Sequence, residues 1–363
     1  MDFLKSFLSI LRKTFRRINA LESSPLGQLP PELILHIARF LQPASAASFS
    51  LCCRPISFII GGTQCLKALQ HEDRQSERYE FLTLLEREMP DQILCYYCKK
   101  FHAIKHAPRH IYSNIGYYSS STHRRAPTCW GANLSSDVFW FISPDFSWTV
   151  FQMAMKRYRQ GRDYTRLLDL LSYHHTGSWR RGHVRHHTSL PRIINGSLLV
   201  RDQRIFLPFR WDESFYVCPH SRLVTPTTDN RFGKYLQDRM IHWDERESHE
   251  AELIQCEYCL TEFRLDFKAF EGQGVAMVFT KWQDLGRGIF PWDFEWRSHI
   301  YDPDGSLEAL WERVHFERGS ISDSFEEGSD FEFASVLTFS WRKEWLRRSY
   351  MGKFNVVSPS RKF

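Results

Sequence analysis

The stretch Leu29-Pro30-Pro31-Glu32-Leu33-Ile34-Leu35-His36-Ile37-Ala38-Arg39-Phe40-Leu41-Gln42-Pro43 constrains the fold of this chain more than any other. Two prolines set the start of a helix, because the first turn has backbone N–H groups with no helical partner and tolerates Pro there. Glu32 then sits where the helix macrodipole favours a negative charge. Leu33, Ile37, Phe40 and Leu41 recur at helical spacing, Ile34 and Ala38 widen the apolar stripe, and Pro43 stops the helix. A second short helix, about residues 44–53, carries Ala47, Phe49, Leu51 and Cys52. Beyond Arg54-Pro55, the apolar run Ile56, Phe58, Ile59, Ile60 ends at Gly61-Gly62. A helical unit this small cannot hide all of that apolar surface within itself. It must dock on the rest of the chain or on another protein.

The cysteines come next. Cys95-Tyr96-Tyr97-Cys98 and Cys256-Glu257-Tyr258-Cys259 each place two thiols with two residues between them. That spacing lets both thiolates face one point, and two such knuckles complete a tetrahedral zinc sphere. The expected metal ligands are therefore Cys95, Cys98, Cys256 and Cys259. Cys218, His220 and His102 are possible substitutes, and buried free thiols are the competing reading. Four protein ligands close the sphere, so a zinc ion here is structural and clamps distant parts of one domain. Nine cysteines are an odd number with uneven spacing, which fits a reducing compartment better than a disulfide framework. With no apolar run long enough to span a bilayer and no signal-peptide core, the expected location is the cytoplasm and/or nucleus.

The expected fold class is α+β: a small N-terminal helical module followed by an irregular mixed α+β domain clamped by structural zinc. Residues 1–20 form a basic amphipathic helix, with Leu4, Leu8, Leu11, Phe15 and Ile18 on one face. It can dock on the helical module, lie on an anionic membrane, or serve as a presequence or a disordered segment. The module itself spans 24–70, a connecting helix 71–90, and the cysteine-containing domain 91–350, with a tail at 351–363. Asn195-Gly196 between apolar runs predicts a hairpin, strands are expected around Phe263–Phe267 and Val275–Thr280, and helices over Ser306–Phe316 and Ser340–Tyr350. Residues 319–330, with Asp323, Glu326, Glu327 and Asp330 among Ser and Gly, read as a flexible acidic linker. His174, His175, His183, His186 and His187, with Arg180, Arg181 and Arg185, read as a solvated basic loop, or as a grip for phosphate or nucleic acid. Asp284, Asp293 and Glu295 read as ion-paired loop residues. The net charge of +6 is mild for 363 residues and does not itself call for nucleic acid. No nucleophile elbow, phosphate loop or zinc-hydrolase signature is present, so an enzyme is not expected.

The order Leu29-Pro30-x-Glu32, then Ile34 and Ile37, then Leu41, then a Ser/Leu-rich second helix resembles the F-box, over about residues 24–70. The resemblance implies docking onto the Skp-type adaptor of a cullin-based SCF ubiquitin ligase. Leu29, Pro30, Leu33, Ile34, Ile37 and Leu41 would be the adaptor-binding residues. One departure is that Pro55 and the run Ile56–Ile60 replace the aromatic-basic pair such modules often carry in the third helix. Together with Cys95-x-x-Cys98, Cys218-Pro219-His220, Cys256-x-x-Cys259 and Trp282-Gln283-Asp284-Leu285-Gly286-Arg287-Gly288, the chain also resembles a group of fungal F-box proteins of largely unassigned function. What this implies is a substrate-recognition subunit for an unknown protein target. An F-box protein acting outside the ligase, as a scaffold or nucleic-acid-binding module, is the alternative.

Overall fold

The structure is a computed structural model that describes residues 21, 24–111, 136–179, 183–207, 215–223, 253–270, 274–300 and 313–327. The N-terminal segment 1–20, the expected helix Ser340–Tyr350 and the tail 351–363 lie outside the described residues. The chain divides into two compact units, one of residues 1–95 and 99–102, the other of 96–98 and 103–363.

The first unit is helical. Helix α1 (Pro31–Phe40) starts with Pro at its first position and Glu32 in its first turn, and ends with Arg39 in its last, each charge matching the macrodipole. Pro43 opens α2 (Pro43–Ser50), and α3 (Arg54–Ile59) and α4 (Gly62–Ala68) follow. Ile34 of α1, 1% exposed, packs with Cys53, Ile56 and Ile60. The small residues of α2 serve close approach: Ala44 and Ala47 bury against Phe81 and Leu82 of α5 (Gln75–Arg87), with Leu69, Met89 and Leu94. A side chain at Gly62 would place its Cβ 2.4 Å from Ser57 Oγ and 3.0 Å from Ser50 Cβ, so glycine permits this close approach and a larger residue would force those side chains to shift. After α5, strands β1 (Gln92–Leu94) and β2 (Phe101–Ala103) pair around a tight turn.

The second unit contains the helices α6 (Ser136–Phe141), α7 (Trp148–Arg159) and α8 (Thr165–Leu171) and a six-stranded antiparallel sheet. Its strands are β3 (Tyr173–Trp179), β4 (His183–Ile194), β5 (Ser197–Leu207), β8 (Ile254–Gln255), β9 (Thr261–Phe270) and β10 (Gly274–Asp284), in the order β3-β4-β5-β10-β9-β8. A separate hairpin pairs β6 (Phe215–Cys218) with β7 (Ser221–Leu223). Asn195 and Gly196 join β4 to β5 with φ of 51° and 80°, the left-handed pair a two-residue hairpin turn requires. The predicted hairpin and strands are thus observed, and the last strand is longer than the expected Val275–Thr280.

Because successive strand residues face opposite ways, the two sheet faces can be read off the register. One carries Phe206, Phe263, Leu265, Met277 and Phe279, packed with Val217 of β6. Lys281, opposite Asp202 on β5 and Phe263 on β9, belongs to the same face. The other carries Leu199 and Trp282 beneath helix α10 (Ser320–Glu326); between strand and helix comes the short α9 (Phe294–Arg297). Trp296 of α9 clusters with Phe146, Trp148 and Phe151, each ring burying a large apolar area.

Three expectations are corrected. Of the acidic stretch 319–330, the described residues 319–327 are no flexible linker: they hold α10, whose Ile321 and Phe325 are buried on the sheet, while 328–330 lie outside the described residues. The His/Arg stretch is not a loop but the β3–β4 ladder, in which His186 is buried, while 180–182 lie outside the described residues. Residues 313–316, the described end of the expected helix Ser306–Phe316, are not helical. There Val314 donates its N–H to Glu257 O at 2.8 Å, a partner outside any helix.

Candidate metal centre and exposed helical face

In the second unit, four side chains converge from two hairpins. Cys218 ends β6, and His220 lies in the turn after Pro219. Cys256 and Cys259 lie in the tight loop joining β8 to β9, which is closed by Cys256 N–H to Thr261 O at 2.9 Å and Thr261 N–H to Cys259 O at 2.7 Å. The four ligand atoms all lie within 4.8 Å of one another. Cys218 Sγ is 3.7 Å from Cys256 Sγ, and His220 Nδ1 is 3.9 Å from Cys256 Sγ. A disulfide needs about 2.05 Å between sulfurs. A tetrahedron with Zn–S bonds of about 2.3 Å has an S···S edge of about 3.8 Å, close to the separation seen. The residues can hold a metal ion, and their chemistry suits zinc.

The surroundings act on the three sulfurs in different directions. Tyr258 N–H points at Cys256 Sγ from 3.5 Å. Burial pushes the Cys218 thiol up to about 12 and raises that of Cys259. Cys256 is pulled down because Cys218 and Cys259 donate to its sulfur. A bound dication would hold all three as thiolates. Behind Cys259, Thr261 Oγ1 is 3.1 Å from Sγ and 3.5 Å from His299 Nδ1. His299 Nε2 lies 2.9 Å from the carbonyl of Asp284, which can only accept, so the proton sits on Nε2 and leaves Nδ1 as an acceptor for Gln283 Nε2 at 3.2 Å. Burial pushes its imidazole down to about 3, so the ring is neutral.

The same sheet face holds an ionic set around the fully buried Asp202 and Lys281. Asp202 Oδ1 accepts from Arg204 Nε at 2.9 Å, and Oδ2 lies 2.5 Å from His187 Nε2. Lys281 Nζ donates to Phe141 O at 2.5 Å and Val217 O at 3.1 Å. Burial lowers its ammonium to about 8, with Asp202 opposing the shift.

The expected four-thiolate set is not the one assembled. Cys256 and Cys259 gather with Cys218 and His220, while Cys95 and Cys98 gather with His102 in the β1–β2 turn. There Cys95 N–H bonds Lys100 O at 3.0 Å and Lys99 N–H bonds Cys95 O at 2.8 Å. The reason is chain path: the β6–β7 hairpin brings Cys218 and His220 to the β8–β9 loop. Of the acidic residues singled out among aromatics, Asp284 and Asp293 make local hydrogen bonds. Asp284 accepts from Ser197 Oγ and from Gly286 N–H, and Asp293 accepts from Phe290 N–H at 2.9 Å.

In the first unit, α1 presents a row of apolar side chains to solvent. Leu33 is 49% exposed, Ile37 is also exposed, and Phe40 is 77% exposed; Phe58 of α3 reaches 90%. Pro30 is exposed, and Leu29 and Leu41 are half-buried. Ile34 faces inward instead, because it sits one residue off the exposed row and packs on α3. Phe40 was visible in the sequence as the next position on the row; Phe58 carried no signal, since Ile56, Ile59 and Ile60 flank it in one apolar run.

Residues 26–63 match the family model of the F-box domain. No curated protein and no solved structure matches the chain. The helical module is an F-box domain, and the chain is an F-box protein with a mixed helix-and-strand region behind it. F-box domains bind a Skp-type adaptor in cullin-based ligases, so adaptor binding is the general role this module defines. No helix among the described residues is long and apolar enough to cross a membrane.

Proposed function

We propose that this protein is the substrate-recognition subunit of an SCF-type ubiquitin ligase. The observation that carries this is the F-box match together with the exposed row on α1. Leu29, Pro30, Leu33, Ile37 and Leu41, joined by Phe40 and Phe58, meet the adaptor. Large apolar side chains grouped on one face are the usual signature of a protein-binding surface. The second unit, in this reading, presents the target-binding surface, with zinc on Cys218, His220, Cys256 and Cys259 as a structural clamp. The protein contributes no catalytic group; ubiquitin transfer comes from other subunits acting by proximity, in the cytoplasm or nucleus.

The test is co-purification with full-length bait. Wild type recovers the adaptor, and Leu33→Asp with Ile37→Asp loses it. Equal recovery by both baits would refute the reading. The nucleic-acid alternative has less support, because two of the histidines it relies on serve the fold: His186 is buried and His187 lies against Asp202.

A further inference from the structure

Lys281 is fully buried, and the fold gives it two neutral acceptors, the carbonyls of Phe141 and Val217. A buried ammonium is costly unless an opposite charge compensates it. Across the ladder stands Asp202, but both carboxylate oxygens are already engaged, one by Arg204 and the other by His187. Asp202 and Arg204 cancel, and His187 is neutral by burial. One positive charge, that of Lys281, is left over in this part of the sheet face among the described residues.

The candidate metal centre has the complementary excess. Three thiolates, a neutral imidazole and Zn2+ sum to one negative charge. Val217, whose carbonyl holds Lys281 Nζ at 3.1 Å, directly precedes the ligand Cys218. The favourable electrostatic neighbours of the ammonium are Asp202, Cys218 and Cys259. We propose that Lys281 is the built-in counter-charge of a zinc ion held by Cys218, His220, Cys256 and Cys259. The inference rests on the zinc reading above and adds a residue that touches no metal: a positioning and charge-balancing group.

The test compares zinc affinity of the full-length chain with that of Lys281→Met and Lys281→Gln, by competition with a chromophoric chelator. A Cys95→Ser background restricts the measurement to this site. Glutamine keeps hydrogen-bond donors for the two carbonyls and removes only the charge. Both variants should bind zinc weaker by about tenfold to a hundredfold, the range typical of outer-sphere partners. If Lys281→Gln binds as tightly as Lys281, the counter-charge role is overturned while the zinc site stands. If the parent chain binds no zinc, the zinc reading itself falls. If neither Lys281 variant folds although the metal-free Cys256→Ser protein does, Lys281 serves the fold alone, and the proposal is equally overturned.

Discussion

The buried carboxylate of Glu262 caps the helix that begins at Ser320: its Oε2 accepts the backbone N–H of Ser322 at 2.8 Å, and Oε1 accepts that of Gly319 at 2.6 Å. A helix N-terminus has unbonded N–H groups and a positive dipole end, and a carboxylate from β9 answers both. The rest of α10 is tied to the same face. Arg192 donates to Phe325 O at 2.7 Å and lies over its ring, and Trp282 Nε1 donates to Glu326 at 2.8 Å.

Glu262→Ala should therefore release α10 before the sheet. Removing one partner leaves two buried N–H groups unsatisfied, at roughly 1–3 kcal/mol each. Hydrogen exchange of residues 319–327 should rise by more than tenfold, with β5 and β10 much less affected. Unchanged protection over 319–327 would refute the capping role.

On α1, adjacent residues should behave oppositely. Ile34→Ala creates a cavity in the helical module and should cost about 2–5 kcal/mol in urea unfolding. Leu33→Ala lies on the exposed row and should change stability by less than about 0.5 kcal/mol, while weakening adaptor capture. Equal destabilisation by the two would contradict the division of the helix into inner and outer faces.

Metal analysis separates the observed ligand set from the one expected from sequence. Cys218→Ser and Cys256→Ser should each lose the same zinc equivalent, whereas Cys95→Ser should leave it in place. A shared loss in Cys95→Ser and Cys256→Ser would restore the pairing of the two Cys-x-x-Cys knuckles. Chelation of wild type should lower the unfolding midpoint, since bound zinc adds folding free energy.

Acid should destabilise the sheet through its histidines. Burial, with His174, His187 and His175 nearby, pushes His186 down to about 3, and burial also lowers His187. Both are neutral when folded, so below about 6.5, the unfolded value, the unfolded chain binds more protons. Stability is fully present above pH 6.5 and falls as pH drops toward 3. Denaturant midpoints measured from pH 7.5 to 4.5 should decline, and less steeply in His186→Asn. A flat profile in wild type would overturn this.

Legibility in the sequence followed the range of the interactions. The helices of the F-box, the Asn195-Gly196 hairpin and the strands around Phe263 and Val278 were readable because prolines, turn residues and apolar periodicity act over a few positions. The stretch 319–330 misled for the same reason. Its Ser, Gly and acidic residues resemble a solvated linker, and what orders 319–327 are Glu262, Trp282 and Arg192, distant in sequence. The Cys-x-x-Cys spacing brings two thiols close within the chain but could not show that Cys218 and His220, distant in sequence, would join Cys256 and Cys259.

By itself, then, the sequence determined the helical F-box, its apolar face and a set of thiols suited to a metal, since local spacing encodes each of these. Only the tertiary structure decided that Ile34 turns inward while Leu33 turns out, and that Cys218 and His220 join Cys256 and Cys259. It also placed Lys281 and Asp202 fully buried on one sheet face. Such choices depend on strand register and on which hairpins pack together, and a buried charge shows in no local pattern until its partners arrive from elsewhere in the chain.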